Sequence, residues 1–216
     1  MRKPSPLLRT FAKVWMKPLT LLALILPGAY VVLEWTLALS GFPHDMGFNP
    51  VQWTHHFLGE TALRILLVSL AITPLRDITG WAPIILIRRR IGLAAFFYAL
   101  AHLLAYVWLD LDWSMPKLWE DILQRTYITL GMGAVAGLIP LAITSTNGMI
   151  RRMGRQAWQR LHYLVYPIAI LAVAHHFFAE KGIQMGPLIH GAILAFLLAW
   201  RLVKFIRLRI AAAQPA

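Results

Sequence analysis

The sequence predicts an all-α membrane protein, a six-transmembrane-helix bundle with both termini cytoplasmic. Three observations predict it. Of the 216 residues, 59% are hydrophobic and only 14% are charged, where a soluble domain carries about 25% charged residues. Six apolar runs approach the length of about 20 residues that crosses the hydrocarbon. The lysines and arginines cluster in alternate connections between those runs, which is the positive-inside pattern.

The first run, 19–39, follows the basic stretch MRKPSPLLRTFAKVWMKP, residues 1–18, with no small-residue cleavage site after it. It reads as a retained first span rather than a cleaved signal peptide, with residues 1–18 cytoplasmic. Span two, 57–73, follows an outer loop, GFPHDMGFNP. The connection from Arg76 to Arg90 holds Gly80, Pro83 and an arginine triplet, and leads into span three at 91–109. Spans four, five and six are expected at 127–143, 161–179 and 187–203, so the bundle occupies 19–203 and a cytoplasmic tail 204–216. No loop has room for a second domain.

The charges orient the bundle. Arg2, Lys3, Arg9, Lys13 and Lys17 precede span one; Arg76, Arg88, Arg89 and Arg90 separate spans two and three. Arg151, Arg152, Arg155 and Arg160 separate spans four and five, and Arg201, Lys204, Arg207 and Arg209 follow span six. The other side holds Asp45, Asp110, Asp112, Glu120, Asp121 and Glu180. In a soluble protein the net charge of +12 would suggest nucleic acid. Here its distribution assigns it to topology and the lipid bilayer, and no nucleic-acid partner is expected. Trp53, Trp81, Trp108, Trp113 and Trp119 lie near the expected interfaces, as an aromatic belt requires.

Gly131, Gly133 and Gly137, in GMGAVAG, have the wrong spacing for a nucleotide loop and lie inside span four. Close helix packing through Gly133 and Gly137 is the expected role. There is no nicotinamide-binding signature and no Ser/His/Asp set recognisable by spacing. A catalytic residue set is therefore not expected.

The histidines carry the chemistry. The chain has no cysteine, which excludes thiolate ligation, disulfides and covalent haem attachment. His44 reads as a solvated loop residue, and His55 and His190 as interfacial ones, while His56, facing one turn deeper, is left open. His102 lies past the middle of span three, His162 at the cytoplasmic start of span five, and His175 and His176 near its outer end. Histidine is costly in hydrocarbon without a partner or a task. Spans three and five run parallel, so His102 and His175 should share a depth, where two imidazoles can bind a haem iron from both faces. His162 and His175 are separated by about 20 Å along an ideal helix, room for two stacked haems. The same helix turns His175 roughly 140° from His162 and brings His176 nearly into line with it. Pro167, between them, is placed to kink the helix and shift that phase, so geometry leaves His175 and His176 open. At the depth of His162, span three offers Arg88, a poor iron ligand because it stays protonated. A haem propionate contact and a plain topology charge are its two readings. Glu60 and Arg64 form an i, i+4 pair in span two, either a mutual ion pair or a quinone or propionate contact.

These residues sit in a longer likeness. The run WQRLHYLVYPIAILAVAHHF (158–177) resembles the W-x-x-L-H-x-x-V-Y stretch of the MsrQ (YedZ) family, within the ferric reductase-like transmembrane superfamily. HHFLGETALRILLVSLAITPL (55–75), AHLLAYVWLDL (101–111) and RTYITLGMGAVAGLIPLAITST (125–146) resemble it also, in matching order and spacing. The likeness covers nearly all of spans two to five. It implies a haem-binding membrane subunit of a methionine sulfoxide reductase system in the bacterial inner membrane, with one or two b-type haems and FMN as an associated cofactor. The implied partner is an MsrP-like periplasmic molybdopterin reductase. The implied electron donor is the quinone pool or a cytosolic flavin reductase. Carried over residue by residue, His102, His162 and His175 match the family's haem histidines, which prefers His175 to His176. Related oxidases have a fourth histidine where Arg88 stands, so a second bis-histidine haem does not carry over. A self-standing ferric reductase would need a nicotinamide domain that this chain lacks. A small transporter would show internal repeats, and none is evident.

Overall fold

A computed structural model describes residues 14–213. Arg2, Lys3, Arg9 and Lys13 therefore lie outside the described residues. The described chain is helical with no strand, and six helical segments are long and apolar enough to cross a membrane. The expected all-α fold with six spans is borne out.

The helices are α1 (Met16–Leu39), α2 (Pro50–Thr79), α3 (Ile85–Leu109), α4 (Met115–Gln124), α5 (Thr126–Ile143), α6 (Asn147–Met153), α7 (Arg155–His162), α8 (Val165–Ala179) and α9 (Met185–Ala213). The central element is α2. Its start is set by Asn49, whose side chain accepts from the Gln52 N–H at 3.0 Å, with Pro50 in the first turn. Its end is set by Gly80 at φ 68°, a conformation that favours glycine. Between these ends Leu63, Leu66, Leu67 and Leu70 pack with Ala95 of α3, Ala134 and Leu138 of α5, Ile168 and Ala169 of α8, and Leu194 and Leu197 of α9. That cluster is the core of the bundle.

Helix α1 contributes little to the core. It is held by Tyr98 of α3, whose hydroxyl donates to the Leu24 carbonyl and accepts from the Gly28 N–H, both at 2.7 Å. The phenol thus sits between two groups that an α-helix would pair directly. A Cβ on Gly28 would lie 3.2 Å from that hydroxyl, so the missing side chain permits the approach.

Four expectations need adjustment. The Arg76–Arg90 segment is not a loop. Arg76 lies in the last turn of α2, and Arg88, Arg89 and Arg90 lie in α3, connected by Gly80, Trp81 and a 3-10 turn at Ala82–Ile84. Arginine is a good helix former whose stem lines apolar surface while its head stays polar. Gly80 and Pro83 are punctuation enough. The outer segment after span three contains α4, which is ten residues long and lies between two spans. Its Met115, Trp119 and Leu123 are exposed while Asp121 bonds back to Tyr106 and, at 2.9 Å, to Arg125. Such an amphipathic helix suits a membrane interface. Span five is broken at Tyr163–Leu164, between α7 and α8. Pro167 lacks the N–H that would reach the Tyr163 carbonyl, which takes the Tyr166 N–H at 3.1 Å instead. Finally, α9 continues past Val203 to Ala213.

The end bearing the arginines is tied across helices. Arg201 of α9 donates to the Leu197 carbonyl at 2.7 Å, to Tyr166 Oη at 3.2 Å and to the Leu70 carbonyl. Lys204 reaches Asp77 at 2.5 Å, and Arg76 holds the same carboxylate at 2.7 Å.

Candidate functional site

The site grows from small residues on four helices. Ala62 of α2, Ala95 and Ala99 of α3, Ala134 of α5 and Ala172 of α8 surround a cavity of ≈ 670 Å³ in the half of the bundle away from the arginine-rich end. Leu63, Leu66 and Leu138 line it too, and its rim is polar: Asn49, Gln52, Asp110, Arg125, Tyr127 and Glu180. An apolar chamber with a few convergent polar groups is what a cofactor site looks like.

Two imidazoles face each other across it. His102 of α3 and His175 of α8 have ring centroids 6.1 Å apart and planes 71° apart. Two imidazoles on opposite sides of one iron, with bonds of about 2 Å, would have centroids about 6 Å apart. The spacing fits. The His175 Nδ1–H donates to the Tyr127 carbonyl at 2.6 Å, which fixes the tautomer and leaves Nε2 as a free base. His102 keeps Nδ1 buried without a partner among the described residues.

Glycines make room for both rings. A Cβ on Gly131 would come within 2.8 Å of His175 Nδ1, and one on Gly59 within 3.2 Å of His102 Cε1. Gly131 is thus a seat for a histidine, not a packing glycine. Gly137 does serve close helix packing, since a Cβ there would lie 2.7 Å from Ile168 Cγ1. Gly133 does not, because its nearest neighbour, Leu171 Cδ1, would be at an ordinary 3.6 Å.

His55 stands over His102 with centroids 6.0 Å apart, and its Nε2 pairs with Asp110. It is therefore part of the cavity wall rather than only an interfacial residue. Arg125 occupies the rim, and it belongs to the minority of basic residues on the acidic side of the sequence pattern. That departure from the charge pattern was the signal available for it. The glycine seats and the Tyr127 carbonyl had none.

The other candidates are placed differently. His176 also lines the cavity, but its ring turns toward His190 of α9, with centroids 5.3 Å apart. The break before α8 removes the continuous helix on which a wheel counted from His162 depends. His162 lies at the arginine-rich end, stacked on Trp158 at 3.8 Å, with Nδ1 on the Trp158 carbonyl at 3.0 Å and Nε2 3.4 Å from Ser145 Oγ. Arg88 is half-buried and, among the described residues, makes no ion pair. Neither His162 nor Arg88 lines the cavity. Glu60 and Arg64 bond to each other, and Glu60 lines the cavity.

Comparison with known proteins agrees with this layout. The ferric reductase like transmembrane component family matches residues 58–173, which include His102 and His162 and end two residues before His175. A protein of Caulobacter vibrioides is 48% identical over 174 residues, 81% of this chain and 82% of its own length. One of Rhodospirillum rubrum is 47% identical over 80% of this chain and 83% of its own length. One of Xanthomonas euvesicatoria pv. vesicatoria is 44% identical over 92% of this chain and 90% of its own length. Each of these relatives is described as the haem-binding subunit MsrQ of protein-methionine-sulfoxide reductase. The chain belongs to the ferric reductase-like transmembrane family and, within it, to the MsrQ proteins.

Proposed function

We propose that this chain is a membrane electron-transfer subunit. Electrons enter from the quinone pool or a cytosolic flavin reductase, cross by b-type haem, and leave to a periplasmic molybdopterin methionine sulfoxide reductase of the MsrP class. The observation that carries this reading is the pair His102–His175, spaced at 6.1 Å across an apolar chamber. Haem bound there supplies reversible one-electron transfer within the membrane.

The protein's own residues do the rest. His102 and His175 present one imidazole each from α3 and α8. The Tyr127 carbonyl holds His175 in the tautomer that leaves Nε2 available, and Gly131 and Gly59 allow both rings their positions. The leucine and alanine lining excludes water and lowers the local dielectric, which with axial ligation sets the potential. Arg125 at the rim is the cation placed to meet a propionate.

The positive-inside distribution supports a bacterial inner-membrane protein with both termini and the His162 end in the cytoplasm. The chamber then opens toward the periplasm, near the partner. At the cytoplasmic end, His162 Nε2 and the Arg88 guanidinium, which makes no ion pair among the described residues, are the groups we assign to receiving a second haem, with one imidazole and one propionate contact.

The test is reoxidation of the dithionite-reduced subunit, followed by stopped flow. An MsrP-like partner plus methionine sulfoxide should reoxidise it faster than either alone. Equal rates with and without partner and substrate would remove the assignment as electron donor, whatever the haem content.

A further inference from the structure

The haem chamber uses one pair of imidazoles and leaves a second pair without a role. His176 of α8 and His190 of α9 stand together on the seam between those helices, with centroids 5.3 Å and planes 57° apart. His190 is only 6% exposed. Nε2 of His176 and Nδ1 of His190 are both buried with no hydrogen-bond partner among the described residues, and the two rings do not bond each other. A buried polar nitrogen left unpaired is destabilising, and two side by side point to a shared ligand.

Gly186 lies one turn before His190 on α9, and a Cβ there would lie 3.7 Å from His176 Nε2. The missing side chain lets the His176 ring approach α9, where it meets His190 at 5.3 Å.

We propose that His176 Nε2 and His190 Nδ1 bind a divalent transition-metal ion of the zinc or copper class. Neutral imidazole is a preferred ligand for these ions. Bonds of about 2.0–2.1 Å from rings spaced this way subtend about 110° at a shared ion, the tetrahedral angle. Among the described residues no group of three His, Asp or Glu is disposed to hold a metal. The protein thus supplies two ligands, and water entering at the polar rim of the adjoining chamber, which His176 lines, supplies the rest. Glu60 and Glu180 line the same wall, and their carboxylates favour a cation nearby. Glu60 is already bonded to Arg64 and Glu180 to His56 at 3.3 Å, which leaves the imidazoles as the direct ligands. A bound ion would clasp α8 to α9 beside the haem ligand His175.

The test uses the untagged haem-loaded protein in detergent, dialysed against micromolar zinc and then against buffer. Zinc per chain is measured by elemental analysis, and its ligands by X-ray absorption at the zinc edge, which the haem iron does not disturb. The expected result is one zinc per chain with two imidazoles in its shell. His176→Gln and His190→Gln should each weaken zinc binding about tenfold or more, with haem per chain unchanged. No zinc retained, zinc without imidazoles, or wild-type zinc affinity in either variant would overturn the proposal. Loss of haem in either variant would also overturn it, by assigning the pair to the haem chamber. The wild-type absorption measurement stands even if a variant fails to fold.

Discussion

His102 and His175 face each other at 6.1 Å from different helices, and Gly131 stands directly behind the second ring. The backbone, not only the two side chains, is shaped to the site. If the two rings share one iron, either His102→Ala or His175→Ala should remove the same haem component from the reduced-minus-oxidised spectrum. His176→Ala should leave most of it, because that ring faces His190. Haem lost in the His176 variant and kept in the His175 variant would reverse the assignment.

Glycine substitutions separate seat from scaffold. Gly131→Ala drives a methyl to 2.8 Å from His175 Nδ1 and strains the bond to the Tyr127 carbonyl. Haem affinity should fall about tenfold or more, the usual consequence of disturbing a ligand's outer partner. Gly133→Ala meets only Leu171 at 3.6 Å and should bind haem as the parent does. Haem-to-protein ratios after dilution in detergent measure both.

Arg201 closes the arginine-rich end by donating to two backbone carbonyls and to Tyr166. Arg201→Ala leaves the Leu70 and Leu197 carbonyls without that donor and should cost about 1–3 kcal/mol. Thermal unfolding should shift down while the His102–His175 component keeps its spectrum. A shifted spectrum at unchanged stability would tie Arg201 to the cofactor instead.

Tyr98→Phe removes the hydroxyl that holds α1 to α3. The expected loss is about 1 kcal/mol, with haem content intact, since Tyr98 does not line the chamber. Proteolysis between α1 and α2 should become faster in this variant. An unchanged rate would mean that α1 is held by other contacts.

His162→Ala should leave the His102–His175 component untouched, because the ring stacks on Trp158 at the other end of the bundle. If a second component disappears in this variant alone, His162 carries its own haem. A loss of both components would contradict the separation of the two ends.

The spans were legible because hydrocarbon demands long apolar helices, and the equal depth of His102 and His175 followed from two parallel helices. The interruption before Pro167 was foreseen only as a kink, and its effect on helical phase explains why counting turns from His162 favoured His176. Helix α4 was hidden because ten residues of mixed polarity read as an acidic loop until Met115, Trp119 and Leu123 are seen on one side. The role of Gly131 was hidden because one missing methyl serves helix packing and histidine seating alike. Only the distance to His175 tells them apart.

The central claim is that His102 and His175 are the two axial ligands of one haem. Low-temperature electron paramagnetic resonance of the oxidised protein tests it most directly. The planes of the two rings are 71° apart, so the wild type should give a highly anisotropic low-spin ferric signal, the mark of nearly perpendicular imidazoles. That signal should be absent from both His102→Ala and His175→Ala. A rhombic signal of parallel imidazoles, a high-spin signal in the wild type, or persistence of the signal in either variant would contradict the account.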